Sequence, residues 1–116
     1  MLFYFETKSI ESNTILKLFG HLVEKSQATD FLAAVHQEIE NGNKNIVLDL
    51  TDLKYLNSTG INVFVNILTK VRKQDGELIL YGVNKKINDL LIITKINSLF
   101  KVFNSEEEAV EHAKKS

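Results

Sequence analysis

A chain of 116 residues suits one compact domain and is too short for two ordinary ones, and 44% hydrophobic against 25% charged residues is the balance of a sequence that buries a core. Fourteen basic residues against fifteen acidic ones leave a formal charge of −1, too weak a field to draw the chain to nucleic acid or to an acidic membrane surface. The absence of cysteine removes disulfides and thiolate metal sites, and neither a signal peptide nor a bilayer-length apolar run is present, so a cytoplasmic protein without membrane insertion is expected.

Leu2 to Lys8 alternates aromatic and polar positions, and Thr14 to Phe19 is again short and β-prone, with the polar turn SIESN between them, which predicts a hairpin. Ala28, Leu32, Val35 and Ile39 then form a helical stripe, with Ser26 as its expected cap and Asn41-Gly42 as its end. Ile46 to Leu50 is a run of mainly branched apolar residues that suits a central strand covered on both faces. Ile61, Phe64, Val65, Leu68 and Arg72 fall at helical spacing, and Lys70, Arg72 and Lys73 offset the negative helix end before Asp75-Gly76 stops it. Leu78 to Val83 reads as a strand, Asn84 as the cap of a helix carrying Ile87, Leu90, Leu91 and Thr94, and Leu99 to Phe103 as the last strand. Ser105 followed three residues later by Glu108 is a capping-box pattern that opens a final helix with Ala109, Val110 and Ala113 on its apolar face.

The resulting order, ββαβαβαβα, implies an α/β fold in one domain spanning residues 1–116. Strands separated by helices run parallel, giving a mixed, mostly parallel sheet with helices on its faces. No repeat, low-complexity tract or proline suggests a hinge between modules.

In such sheets ligands and partners meet the loops at the carboxyl ends of strands, and Asn57-Ser58-Thr59-Gly60 lies in such a connection. Asn57, Ser58 or Thr59 can each cap the following helix, and Gly60 lets the backbone turn tightly. The longer string IVLDLTDLKYLNSTGINVFVNILTKVRKQDGELILYGV resembles the core of STAS domains, in particular the bacterial anti-sigma-factor antagonists. In that family a strand with an apolar-Asp-apolar pattern, here Val47-Leu48-Asp49-Leu50, precedes an Asp-Ser-Ser/Thr-Gly motif and an apolar helix. TILKLFGHL, INDLLIITKINSLFKVFNS and EEEAVEHA extend the likeness over nearly the whole chain.

The resemblance implies a non-enzymatic switch. The unphosphorylated domain binds an anti-sigma factor that is also a serine kinase, the kinase phosphorylates the motif serine, here Ser58, and a PP2C-type phosphatase reverses the step. Asn57, Thr59 and Gly60 would belong to the contact surface, together with Asn62, Asn66 and Thr69, which face outward if Ile61, Phe64, Val65 and Leu68 face inward. The sequence departs from the family at two points. Asn57 stands where aspartate is usual, and the turn after Gly20, commonly ending in aspartate, here reads His21-Leu22-Val23-Glu24, so that His21 and Glu24 join the expected contacts. Two alternatives share the fold: a phosphorylation-independent scaffold or accessory subunit of a transporter or signalling complex, and a sensor of a nucleotide or other small ligand.

Other chemistry finds little support. Leu56 stands two residues before Ser58, so the Gly-x-Ser-x-Gly elbow of hydrolases is absent. His21, His36 and His112 have no metal-ligand spacing, the glycines form no phosphate-binding loop, and neither a metal nor a cofactor is expected. Glu106 to Glu108 read as a solvated helix start, while Lys85 and Lys86 sit at the end of a helix that disfavours cations and could face an acidic partner. Oligomeric state is open, although an exposed Leu2 to Lys8 edge could pair with another chain.

Overall fold

The computed structural model describes residues 2–11 and 13–115. Strands β1 (Phe3–Ile10) and β2 (Asn13–Leu22) form the expected hairpin, with Glu11 in the left-handed region at φ 49° in the connection. A 3-10 turn, Lys25–Ala28, leads into α1 (Thr29–Glu40), and then come β3 (Ile46–Leu56), α2 (Ser58–Arg72), β4 (Leu78–Tyr81), α3 (Lys85–Ile93), β5 (Lys101–Phe103) and α4 (Glu106–Lys115). The strands lie in the order β1-β2-β3-β4-β5, with β1 antiparallel to β2 and every other pair parallel.

Alternation along the strands sorts side chains onto two faces. Leu16, Leu18, Leu48, Leu50 and Leu80 pack with Phe31 and Val35 of α1, the buried side of α2, and Ile87 and Leu91 of α3. Ile15, Val47, Ile79 and Tyr81 point the other way, onto Ala109, Val110 and Ala113 of α4. Among the described residues, three helices cover one face and a single helix covers part of the other. The alanines let α4 lie close, which is why its apolar stripe is narrow.

Several boundaries differ from the sequence expectation. β3 continues six residues past Leu50, because Leu53 and Leu56 stay buried while the ladder to β2 shifts register between Lys17 and Phe19 and again between Gly20 and His21. Three-residue spacing of Leu50, Leu53 and Leu56 reflects those irregularities and hides the strand from a two-residue periodicity search. Ser26 does not cap α1. It lies inside the 3-10 turn, whose entry is held by Gln27, with its side-chain oxygen accepting from the N–H groups of Val23 and Glu24 at 2.9 Å each. β4 ends at Tyr81, before Gly82 at φ 74°, and residues Asn97–Leu99 form a 3-10 turn that leaves β5 three residues long.

α2 is buried over a wider arc than its predicted stripe. Val63, Ile67 and Val71 are buried beside Ile61, Phe64 and Leu68, whereas Val65 is half-buried. Asn62, Asn66 and Thr69 are exposed, as the stripe implies.

Candidate functional site

Because β2 and β3 both overrun the short strand β4, their carboxyl ends project together, with Leu22 paired to Leu56. The segments leaving the two strands therefore lie side by side: Val23, Glu24 and Lys25 after β2, and Asn57 to Gly60 after β3. Asn57 fastens the two segments. Its side-chain oxygen accepts from the Gly60 N–H at 3.1 Å and caps α2, and its amide nitrogen donates to the Val23 carbonyl at 3.1 Å. An aspartate here could make the first bond but not the second, since a carboxylate has no donor. The two departures from the family pattern are thus in contact.

Gly60 completes the anchor by steric necessity. A Cβ on it would stand 2.5 Å from the Leu22 carbonyl oxygen and 2.8 Å from Leu56 Cβ, so only glycine lets the first turn of α2 press onto both strand ends. With Asn57 half-buried on one side and Gly60 buried on the other, Ser58 is carried on a fixed turn and remains exposed as the first residue of the helix. Thr59 is half-buried. The first turn of α2 contains no acidic residue, so the positive end of its dipole is not offset by the chain's own charge there.

Beside Ser58 a groove of about 460 Å³ runs between the 3-10 turn, α1 and α2, lined by Lys25, Leu32, Thr59, Asn62, Val63 and Asn66. It brings together three residues singled out from sequence, Thr59, Asn62 and Asn66, with three that were not, Lys25, Leu32 and Val63. Leu32 belongs to the predicted apolar stripe of α1 but is only half-buried, and Lys25 carries no sequence signal beyond being a lysine near a turn. Gln27, which ties the loop down, also escapes the sequence reading. Its spacing from Glu24 is that of a capping box with an unusual first residue.

The remaining sequence candidates are spread more widely. Glu24 is exposed on the loop next to Asn57, and His21 is half-buried on β2, its Nδ1 enclosed without a hydrogen-bond partner among the described residues. Thr69 lies further along α2, its hydroxyl donating to the Val65 carbonyl at 3.0 Å. Lys85 pairs with Asp89 at 2.8 Å, which raises its pKa, and Lys86 sits 5.5 Å from the centre of the Tyr55 ring, so both lysines have partners within the chain. His36 meets Lys70 and His112 meets Glu77. Among the described residues no group of three or more His, Asp or Glu side chains could hold a metal ion, and no helix is long and apolar enough to cross a membrane.

A second polar cluster lies on the α4 face. Asp49, 4% exposed, accepts from the Thr51 N–H at 2.9 Å and hydroxyl at 2.6 Å. Tyr81 donates to Glu106 at 2.8 Å, and Glu106 also meets Lys8. Burial, then the Glu106 hydrogen bond and the Asp49 carboxylate, push the Tyr81 phenol well above its ordinary range, while Lys8 and then Tyr81 hold the Glu106 carboxyl below its own. Every member has a partner, as a structural network requires.

Comparison with known proteins agrees with this architecture. An anti-sigma-B factor antagonist of Listeria monocytogenes is 34% identical over 73 residues, which are 61% of this chain and 64% of that protein, so the matched part is less than two thirds of the relative. TM1081 of Thermotoga maritima has a crystal structure that superposes with a TM-score of 0.84 at 27% identity, over 95% of this chain and 94% of its own. The anti-sigma factor antagonist SpoIIAA, solved in unphosphorylated and phosphorylated forms, shares the fold with TM-scores of 0.74 and 0.72 at 17% identity. These cover 96% and 94% of this chain and 98% of SpoIIAA in each case. The model of the STAS domain matches residues 4–109, and with the strand order, the helix placement and the Ser58 turn already in view, the chain belongs to the STAS domain family.

Proposed function

We propose that this chain is an anti-sigma factor antagonist that works by partner switching, binding an anti-sigma factor with serine kinase activity while Ser58 is unmodified and releasing it once Ser58 is phosphorylated. One observation carries the reading. Ser58 is exposed on a helix start that Asn57 and Gly60 hold rigid, next to a groove whose walls are partly apolar. The relatives' names and the two SpoIIAA forms support it. In this reading the chain is a cytoplasmic regulator with no catalysis of its own, and a PP2C-type phosphatase resets it.

The physics suits a switch that spares the fold. A phosphate brings about −1.5 to −2 charges, and the amides and dipole at a helix N-terminus accommodate an anion. At a partner interface the same dianion must be desolvated, and a penalty of roughly 2–4 kcal/mol weakens binding by about 30- to 1000-fold. Asn57, Thr59, Asn62, Asn66 and Glu24 surround Ser58 or line the groove, and form the contact surface; His21, on the adjacent strand end, borders it.

The test is to incubate the chain with an anti-sigma kinase from the same genome and ATP, map the modification, and measure binding by calorimetry. One phosphate on Ser58, with binding lost by the phosphorylated form and by Ser58→Asp, is the expected result. No modification, together with unchanged binding by Ser58→Asp, overturns it and leaves a phosphorylation-independent scaffold.

A further inference from the structure

At the far edge of the sheet from β5, strand β1 has, among the described residues, a neighbour on one side only. The Leu2 carbonyl accepts from the His21 N–H at 2.8 Å, and the hairpin keeps one unbroken register from Phe3↔Gly20 to Ile10↔Asn13. Antiparallel pairing alternates, so the even-numbered residues of β1 turn their backbone groups toward β2, whereas Phe3, Phe5, Thr7 and Ser9 turn theirs outward. Eight residues of strand thus offer a row of backbone donors and acceptors to another chain.

The side chains select the partner. On the α4 face of β1 stand, in order, Tyr4, Glu6, Lys8 and Ile10. Charges on an edge usually keep strands apart, but here two opposite charges lie two residues apart. A second copy of β1 laid antiparallel must pair outward-turned residues with outward-turned ones, which permits two-fold axes through a residue but not between neighbouring residues, and axes at Glu6 or Thr7, nearest the middle of the strand, overlap the most residues. Centring on Glu6 or Lys8 sets like charges opposite each other. Centring on Thr7 sets Glu6 opposite Lys8 of the second copy, twice, and Tyr4 opposite Ile10. It also extends a row of alternating sign, because Lys17 faces Glu6 within the hairpin and bonds to Asp52 at 3.1 Å. Lys8 already meets Glu106, yet an ammonium has three donors and serves both carboxylates. Tyr4, stacked on Phe19 with ring centroids 4.5 Å apart, is still 46% exposed, and the opposed Ile10 covers it.

We infer that β1 is a homodimerisation edge, joining two copies of this chain about a two-fold axis at Thr7 into one continuous ten-stranded sheet. Phe5 and Ser9 exchange backbone hydrogen bonds with Ser9 and Phe5 of the second copy, and the two Thr7 residues bond to each other. Because the axis reverses strand direction, the two Ser58 loops point to opposite ends of the dimer, and each is free to meet its own partner. The inference rests on β1 alone and does not depend on phosphorylation of Ser58.

Sedimentation equilibrium of the unmodified chain, from roughly ten to several hundred micromolar, is expected to show mass rising from one chain to two, as a modest interface of this kind implies. Glu6→Lys alone and Lys8→Glu alone each place like charges opposite one another, and each weakens self-association about tenfold. Mixed in equal amounts, the two variants restore opposite charges at both contacts, so heterodimer forms at wild-type concentrations, a rescue that damage to either fold cannot mimic. Thr7→Pro, which removes an outward N–H from each copy, lowers the affinity at least tenfold should a charge variant fail to fold. A monomer at every concentration, a dimer that neither charge variant weakens, or a mixture that stays monomeric overturns the proposal.

Discussion

Asn57 and Asn84 hold the same place in two successive strand-to-helix connections, and they are built alike. Asn84 caps α3 by accepting from the Ile87 N–H at 2.8 Å, and its amide nitrogen reaches back to the Leu53 and Lys54 carbonyls at 3.1 and 3.3 Å. Asn57 caps α2 and reaches back to Val23. Each asparagine is a clasp between a helix start and the end of a neighbouring strand. The helices then diverge: after Asn57 come a small exposed hydroxyl and a glycine pressed onto backbone, and after Asn84 come two lysines and a buried isoleucine. The cap is shared by both starts, and the three residues after it distinguish the candidate site from its neighbour.

The largest effects should appear at the third helical position, where the two starts have opposite requirements. Gly60→Ala drives a methyl against the Leu22 carbonyl and Leu56, and a cost of about 2–4 kcal/mol in urea denaturation is expected. The matching position after Asn84 holds Ile87, fully buried, and Ile87→Ala costs a similar amount, about 2–5 kcal/mol, by opening a cavity. If Gly60→Ala proved harmless, the tight seat that fixes Ser58 would not exist.

Next come the clasps themselves. Asn57→Ala and Asn84→Ala each lose a cap and strand-side hydrogen bonds, which costs about 2 kcal/mol by thermal denaturation. Asn57→Asp restores the residue usual in the family, keeps the cap and loses only the bond to Val23. It costs about 1 kcal/mol, and amide exchange should accelerate at the loop after β2 but not at α3. Equal exchange at both places would show that Asn57 does not hold the loop.

Much of this was readable in the residues. The element order and the caps at Asn84 and Ser105 follow from local chemistry that a sequence exposes, whereas Gly60, expected to let the backbone turn tightly, lies inside the first turn of α2 and serves the close approach to Leu22 and Leu56 instead. The overrun of β3 to Leu56 was hidden, because the register shifts against β2 replace two-residue alternation by threes. So was the Ser58 groove, since Lys25 and Leu32 come from a different segment, and only the pairing of Leu22 with Leu56 brings that segment alongside. The sequence showed Asn57 as a departure from a motif. That its amide reaches Val23 is a fact of tertiary structure.

A third helix start sharpens the contrast through pH. At α4, Ser105 accepts from the Glu108 N–H at 3.2 Å, and Glu106 is held by Lys8 and Tyr81, whereas neither asparagine cap titrates. Glu106 has a folded pKa lowered from 4.5, so its contribution is fully present above that value and is lost as pH falls through the folded pKa. Acidification should therefore loosen α4 before α2 or α3, seen as earlier amide exchange. Tyr81→Phe, which removes one of the two bonds lowering the pKa, should reduce the difference.

The smallest expected change in stability belongs to the position of greatest functional interest. Ser58→Asp puts a carboxylate at the first residue of α2, where the helix dipole favours it by about 0.3–1 kcal/mol, offset in part by the loss of a small hydroxyl. Lys85→Glu makes the corresponding exchange at α3, relieving a cation at the positive helix end but breaking the exposed pair with Asp89, which water and salt screen. Melting temperatures of both variants should lie within a few degrees of the parent. Binding to an anti-sigma kinase should separate them, failing for Ser58→Asp and surviving for Lys85→Glu. Two starts that respond alike in folding and differently in recognition would show that the charge acts at an interface. A Ser58→Asp variant that binds poorly only because it melts would place the effect in the fold instead.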